Sequence, residues 1–262
     1  MEINRSRISR AAPEPGARPQ QPSIEARVLA TLRDEFAVPN LSGLPDFMVV
    51  VEGATDRGYI QRAAELFEAA HGVSPLDVPP TLRRGSERRI AVVVPGENGR
   101  PASGGVKRMV DMAAALFGDF FRAEVLLGIV FVFDHDWAGR EARDQIKKYG
   151  FRPDRHSLTL DPSAHPTLVG RPDVLIEDLI PLPAQEAFFA LGGANCSKEY
   201  RDGQLRRIRW EHPSKAALRR YICTHSGIRD FGELVLLISR VRAALGFPAI
   251  DVRSGGTQEG GA

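Results

Sequence analysis

The stretch that decides the fold is Phe47-Met48-Val49-Val50-Val51-Glu52-Gly53-Ala54-Thr55-Asp56. It begins as a short, continuous apolar run over residues 47–51, which is typical of a strand buried on both faces. The run ends at an acid and a glycine, and residues 55–71 then repeat apolar side chains at helical spacing. This segment therefore predicts a buried strand that leads through a tight turn into a helix.

Strand and helix signals alternate in the same way along the chain that follows. The predicted strands cover residues 47–51, 90–94, 125–133, 158–160 and 174–176. The helices predicted among them cover residues 55–71, 106–117 and 138–148. Because strands that alternate with helices pair in parallel, we expect an α/β fold with a Rossmann-like, largely parallel sheet flanked by helices.

The two ends of the chain and its C-terminal third differ from this alternating core. Residues 1–23 are rich in Arg, Pro, Gln and Gly, and residues 252–262 are rich in Gly, so we predict two disordered tails. Ser23 is a suitable N-cap for a helix over residues 25–36, at the start of a core spanning residues 24–182. Residues 183–251 are predicted to form a helical appendage that completes the site. Its helices cover residues 184–191, 214–225 and 231–245.

The composition is that of a globular protein without a membrane span or a disulfide scaffold. The 262 residues are 43% hydrophobic and 26% charged, and the net charge of +2 says little about partners. Apolar runs such as residues 125–133 are too short to cross a bilayer, and we expect no secretory signal. Two cysteines favour a reducing compartment, so we expect a cytoplasmic protein without a membrane partner.

Acidic residues follow two of the predicted strands. Glu52 ends the first strand with Asp56 four positions later, and Asp134 and Asp136 end the third. The carboxyl ends of parallel strands meet at one edge of a sheet, so these four carboxylates converge if the two strands are neighbours. Oxygen ligands without His or Cys suit one or two Mg²⁺ or Mn²⁺ ions, which offset the repulsion between like charges.

A structural role for each of these acids stays open. Asp56 is also favourable as an acid in the first turn of a helix, where it interacts with the helix dipole. Asp134 and Asp136 are also of the type that ends strands in turns.

A basic segment lies in the C-terminal part of the chain. Residues 198–220 contain eight cations and three anions, a local excess of five positive charges. Such an excess suits a polyanion such as a nucleic-acid backbone. The candidate contacts are Arg206, Arg207, Arg209, Arg219 and Arg220. A solvated helix face explains the same charges equally well, so both interpretations stay open.

Two motifs, in this order, resemble the signatures of the Toprim domain, which topoisomerases, bacterial primases, recombination mediators and OLD-family nucleases share. They are Val51-Glu52-Gly53-Ala54-Thr55-Asp56 and Phe133-Asp134-His135-Asp136-Trp137-Ala138-Gly139. The turn Ser103-Gly104-Gly105-Val106-Lys107 and residues 174–181 are similar to features of the OLD branch. The resemblance covers about residues 45–225 and implies a Toprim fold with bound Mg²⁺ or Mn²⁺.

The resemblance also implies roles for residues outside the two motifs. Within residues 174–181, either Glu177 completes the metal site or Asp178 caps a local turn, and both stay open. Lys215 is similar in position to a lysine of OLD nucleases, which implies a catalytic cation that offsets phosphate charge.

Three further side chains lie in or near these motifs. His135, between two aspartates, could contact metal or substrate, but it is expected to point away from them and to have a structural or solvent role. Trp137 and Trp210 either pack in the protein or stack on bases.

The function that the resemblance implies is a metal-dependent nuclease, an endonuclease that hydrolyses phosphodiesters of DNA or RNA. Its catalytic residues would be Glu52, Asp134, Asp136 and Lys215. Its metal ligands would be Glu52, Asp56, Asp134, Asp136 and Glu177.

The resemblance also bears on partners and on rival functions. OLD proteins normally carry an ATPase ahead of the Toprim portion, and no Gly-x4-Gly-Lys-Ser/Thr pattern occurs here. A separate ATPase partner, a homo-oligomer and a context of antiviral defence are therefore expectations. A non-catalytic Toprim module that binds nucleic acid or a partner remains open. So does a primase-like nucleotidyltransferase, although two cysteines argue against the zinc module that primases usually carry.

Overall fold

The computed structural model describes residues 22–38, 43–84, 88–96, 105–123, 128–192, 194–248 and 250, with the backbone alone for residues 119–123. The predicted disordered tails lie outside these residues, except for Pro22 and Ser23. Within this part of the chain, none of the helices combines the length and the apolar character that crossing a membrane requires.

The centre of the structure is a four-stranded parallel sheet, which confirms the predicted α/β fold class. Its strands are β1 (Phe47–Val50), β2 (Ala91–Val93), β3 (Gly128–Phe133) and β4 (Ser157–Thr159), in the order β2-β1-β3-β4. Thus β1 and β3, the two strands that lead into the acidic motifs, are direct neighbours, with Val50 opposite Phe131.

Helices cover both faces of this sheet, as a Rossmann-like layout requires. They are α1 (Ile24–Ala30), α2 (Ala54–His71), α3 (Gly105–Ala123) and α4 (Trp137–Lys147). Side chains on β1 alternate between two buried cores: Val49 packs with α2, whereas Met48 and Val50 pack with α1, α3 and α4. Ser23 caps α1 as predicted, since its Oγ accepts a hydrogen bond of 3.1 Å from the backbone N–H of Ala26.

The C-terminal part combines helices with a β-hairpin. It contains α5 (Leu182–Phe189), β5 (Cys196–Arg201), β6 (Gln204–Trp210), α6 (Ser214–His225) and α7 (Gly232–Ala244). The predicted helical appendage is therefore correct for its three helices but wrong for residues 196–210. The hairpin turns at Asp202 and Gly203, which both have positive φ. Asp-Gly is a strong hairpin signal, but the many charged residues around it do not show the alternation of apolar residues that predicts strands.

The predicted fifth strand at residues 174–176 is also wrong. Val174 forms one isolated antiparallel bridge with His135, and a 3₁₀ turn over Ile176–Leu179 follows. Asp178 caps this turn by accepting a hydrogen bond of 2.8 Å from the backbone N–H of Leu175. This cap ends the extended segment before it can pair further along the sheet.

The chain leaves β1 and β3 on opposite sides of the sheet. After β1 it continues into α2 in one core, and after β3 it continues into α4 in the other. Neighbouring parallel strands whose connections diverge in this way leave a crevice beyond their carboxyl ends, where open α/β sheets bind ligands. The fold therefore places Glu52 and Asp134 at this crevice.

Gly139 allows α4 to begin close to the end of β3. A Cβ atom at this position would lie 2.1 Å from the carbonyl oxygen of Asp134, far inside contact distance. The obstacle is backbone and cannot rotate away, so glycine is needed for the close approach that holds residues 134–139 in place.

We predict that Gly139→Ala destabilises the protein by about 1–3 kcal/mol, because the added methyl group forces the start of α4 away from Asp134. Gly118→Ala is the matched control: a Cβ atom at Gly118 in α3 meets nothing within 4 Å, and alanine favours a helix by about 0.5–1 kcal/mol. Urea denaturation measures both changes, and equal stabilities for the two variants would contradict the prediction.

Candidate functional site

Glu52 and Asp134 are linked across the carboxyl edge of the sheet. The backbone N–H of Asp134 donates a hydrogen bond of 3.1 Å to Oε1 of Glu52. In turn, Oδ1 of Asp134 accepts a hydrogen bond of 3.0 Å from the backbone N–H of Ile176. Three separate stretches of chain are thereby joined through two carboxylates, as the pairing of β1 with β3 led us to expect.

Asp56 and Asp136 each lie at the start of a helix. Oδ2 of Asp56 accepts a hydrogen bond of 3.0 Å from the N–H of Gly53, at the first turn of α2. Oδ1 of Asp136, the N-cap of α4, accepts one of 2.7 Å from the N–H of Gly139. Both acids therefore have a helix-terminal role in addition to any role in the site.

Glu177 and Asp178 are adjacent but face different surroundings. Glu177 is only 4% exposed. Its Oε2 accepts a hydrogen bond of 3.2 Å from Nζ of Lys215, the second residue of α6. Asp178 caps the turn and pairs with Arg171 and Arg207. The cap by Asp178 is therefore confirmed. Glu177 lies near the other acids, and its role as a metal ligand stays a prediction.

The carboxylates perturb one another electrostatically. Burial raises the pKa of Glu52 to about 7, with Asp136 and Glu177 adding to the rise. Burial, then Glu177 and Glu52, raise the pKa of Asp56 to about 8. Burial, then Glu52 and Asp56, raise the pKa of Asp134 well above its ordinary value. These mutual effects place the acids within electrostatic reach of one another.

Lys215 provides positive charge within this group. Burial alone would lower its pKa, but Glu177, Asp134 and Asp56 outweigh that effect and raise it. Lys215 in turn lowers the pKa of Glu177, whose pKa is nevertheless raised, chiefly by burial. One lysine therefore leaves the surrounding acids under-compensated.

A buried hydroxyl group lies beside the same acids. Tyr59 follows Asp56 by three positions on α2 and has no exposed surface, and its hydroxyl has no hydrogen-bond partner among the described residues. The pKa of Tyr59 is raised well above its ordinary value by burial first and then by Glu177. The sequence did not single out this residue, although its i+3 spacing from Asp56 puts both on one helix face.

The donor chemistry and the charge of this cluster suit a hard divalent cation, but the side chains are not gathered around one point. In the described ranges, no three Asp, Glu, His or Cys side chains have the arrangement of a metal site. Four acids share one pattern: one carboxylate oxygen of each accepts a hydrogen bond from a backbone N–H, and the other oxygen makes no hydrogen bond to a described residue. These acids are Glu52, Asp56, Asp134 and Asp136. The free oxygens, the uncompensated charge and the unpartnered Tyr59 hydroxyl are the observations that favour a cation.

The predicted nucleic-acid arginines divide into buried and accessible groups. Arg207 is 4% exposed and pairs with Asp173 at 2.7 Å and with Asp178. Arg209 pairs with Asp173 at 2.9 Å and with Glu199. Their carboxylate partners remove Arg207, and largely Arg209, from the predicted nucleic-acid surface.

The other three arginines remain accessible. Arg206 and Arg220 are exposed, and Arg219 is half-buried. The side chain of Arg219 packs against Gly58, and its guanidinium donates a hydrogen bond of 2.9 Å to the carbonyl of Ala54. Arg219 therefore lies over the start of α2, close to Asp56.

The remaining motif side chains have distinct environments. The backbone of His135 exchanges two hydrogen bonds with Val174. Trp210 is buried, and its indole N–H donates a hydrogen bond of 2.7 Å to Oε1 of Gln185. Trp137 is exposed at the start of α4. Of the predicted glycine-containing turn, residues 103 and 104 lie outside the described residues, and Gly105 begins α3 next to the carbonyl of Glu52.

Comparisons of the chain with protein-family models, with curated proteins and with solved structures find no match. The case for any function of this site therefore depends on its own geometry and on the two motifs.

We predict that Glu52→Gln makes the metal-free protein more stable than wild type at pH 8.5, and that this advantage shrinks by on the order of 2 kcal/mol at pH 5. The folded protein holds the Glu52 proton more tightly than the unfolded chain, since the pKa rises from 4.5 to about 7. Wild-type stability is therefore lost as pH rises through this interval, and Gln cannot ionise.

The measurement is urea denaturation in EDTA at both pH values. Glu141→Gln, an exposed acid of α4, is the matched control and is expected to change stability little at either pH. A wild type that is the more stable protein at pH 8.5 would contradict the prediction.

We predict that Arg207→Ala lowers the free energy of unfolding by about 3–5 kcal/mol. The substitution removes an ion-pair partner from both Asp173 and the buried Asp178, which among the described residues would keep only Arg209 and Arg171, respectively. The adjacent, exposed Arg206→Ala should change stability by no more than about 0.5 kcal/mol. Thermal and urea unfolding compare the two. A stable Arg207→Ala variant that binds nucleic acid more weakly would instead restore Arg207 to the binding surface.

Proposed function

We propose that this protein is a divalent-metal-dependent nuclease that cleaves phosphodiesters of DNA or RNA, similar to the Toprim portion of OLD-family nucleases. The observation that carries the proposal is the proximity of Glu52, Asp134 and Glu177 to Lys215 at the crevice between β1 and β3, where Lys215 contacts Glu177 and lies within electrostatic reach of the other two acids. These side chains come from four separate stretches of the chain. The two motifs that resemble Toprim signatures supply two of them.

Glu52, Asp134 and Glu177 are the residues best placed to hold Mg²⁺ or Mn²⁺, with Asp56 and Asp136 beside them. Each of the first two is already oriented by a backbone N–H and keeps a second oxygen for a cation. When bound, the ion supplies Lewis-acid stabilisation of phosphate charge and lowers the pKa of a coordinated water. Carboxylates alone would repel a phosphodiester, so the proposal requires this cation.

Lys215 has a separate role in the proposal. Its side chain is partly exposed while its Nζ contacts Glu177, so it reaches both the acids and the solvent side of the crevice. From this position it can donate hydrogen bonds to a phosphate oxygen and stabilise the negative charge that develops during cleavage. Glu177 orients the ammonium group for this purpose.

The accessible arginines suit contacts to the nucleic-acid backbone. Arg219 lies beside the start of α2, and Arg206 and Arg220 are exposed. Contacts of this type position a nucleic acid without reading its sequence. A separate ATPase partner, self-association and a role in antiviral defence belong to the same proposal and derive from the resemblance alone.

A second candidate is a non-catalytic module that binds nucleic acid or a protein partner. The observation that favours it is the use of four carboxylates as acceptors of backbone N–H groups, which is a sufficient structural role for each. The nuclease remains the preferred proposal because helix capping alone does not explain why Lys215 and Glu177 share the crevice with these acids.

We predict that wild-type protein degrades at least one of plasmid DNA, linear DNA and RNA with Mg²⁺ or Mn²⁺. Asp134→Asn and Lys215→Met should each lower kcat by about 100-fold or more, because each removes a group that acts on the reacting phosphate. Lys148→Met, at the exposed end of α4, is the matched control and should keep wild-type activity.

The outcome separates the two candidates. Full activity of Asp134→Asn would contradict the nuclease proposal. A wild type that binds nucleic acid tightly but cleaves none of the substrates with either metal would favour the binding module.

A further inference from the structure

Trp137 is the most exposed large apolar side chain among the described residues. It is 73% exposed, whereas Trp210, the other tryptophan, is 4% exposed and hydrogen-bonded to Gln185. Exposing an indole of this size to water forgoes a large hydrophobic gain, and Trp137 makes no compensating contact with a core in the described part of the chain. The exposed ring of Trp137 is therefore available to a ligand.

The position of Trp137 connects it to the candidate site. It directly follows Asp136 and is the first residue of α4. The loop that carries it is held on both sides, because His135 exchanges backbone hydrogen bonds of 2.8 and 3.1 Å with Val174 and Gly139 packs against the carbonyl of Asp134. Arg140 adds a hydrogen bond of 3.3 Å to the carbonyl of His135. The indole is thus attached to a well-anchored segment at the rim of the crevice.

The surroundings of Trp137 favour a nucleobase over a protein surface. The residues that flank it in the chain are Asp136, the small Ala138 and, three positions on, the exposed and charged Arg140, so this segment supplies no second large apolar side chain beside the indole. Protein interfaces need such a patch, whereas a single aromatic ring is sufficient to stack on one base. A ring beside a phosphate-binding site is the arrangement that single-strand-binding proteins use.

We propose that Trp137 stacks on an unpaired base of the substrate strand next to the scissile phosphate, and that the protein therefore prefers single-stranded to fully paired nucleic acid. This inference rests on the proposed function. A base inside a duplex is covered on both faces by its neighbours, so only an unpaired or splayed base offers a free face to the indole. Trp137 is accordingly a specificity-determining residue of the same site.

The test measures binding without cleavage, in Ca²⁺, with a fluorescently labelled 20-nucleotide single strand and a blunt hairpin duplex as the probes. Trp137→Ala should raise Kd for the single strand by about tenfold and Kd for the duplex by no more than about twofold. Trp137→Phe retains a stacking ring and should keep most of the preference. Tyr200→Ala, which removes a 62% exposed aromatic side chain from β5, is the matched control and should leave the preference unchanged.

Intrinsic fluorescence gives an independent readout. Because Trp210 is buried, quenching of tryptophan emission by an unlabelled single strand should come from Trp137 and vanish in Trp137→Phe. Absence of quenching in wild type, or an equal loss of single-strand and duplex binding in Trp137→Ala, would overturn the inference. So would a Trp137→Ala variant whose sedimentation shows that it has lost a wild-type dimer, since the indole would then cover a second copy.

These outcomes are separate from those of the nuclease assay. Wild type that never cleaves refutes the proposed function, while the stacking measurements in Ca²⁺ still give their own result. Wild type that cleaves nucleic acid without a preference that depends on Trp137 refutes the stacking alone.

Discussion

The parallel pairing of β1 with β3 is the constraint on which the site depends. It brings together two strand ends that are 82 residues apart in the chain, so that Glu52 accepts the backbone N–H of Asp134. The connections then diverge to opposite faces of the sheet, which opens the crevice at that edge. Like charges are thereby buried side by side, and the raised pKa values of Glu52 and Asp56 are the electrostatic consequence.

Most of the core was predictable because its signals are local. Continuous apolar runs identified β1, β2 and β3, and the alternating Leu158 and Leu160 identified β4. Helical patterns identified α2, α4 and α6. The positions of Glu52 and Asp134 followed from one further rule, that parallel strands share a carboxyl edge. That rule needed β1 and β3 to be neighbours, which a pattern along one chain does not specify.

The parts that were missed depend on contacts between distant residues. In β6, Arg207 is buried and forms ion pairs with Asp173 and Asp178, about thirty residues earlier in the chain. Without knowledge of these partners, a charged residue does not predict an inward-facing strand position. Burial of Tyr59 next to Glu177 likewise needs the 3₁₀ turn to pack against α2. The turn at Asp202-Gly203 was missed for another reason. Its Asp-Gly signal is local, but the charged residues on both sides of it were interpreted as a nucleic-acid surface and not as strands.

The contrast between Glu177 and Asp178 argues that the acidic cluster exists for more than stability. These neighbours in one 3₁₀ turn are both buried, yet Asp178 has two arginines and a backbone N–H as partners, whereas Glu177 has one lysine that it shares electrostatically with Asp134 and Asp56. The fold can therefore neutralise a buried acid at this point in the chain. Leaving the adjacent carboxylates under-compensated costs stability, and proteins tolerate such a cost chiefly at sites that bind a ligand or carry out chemistry.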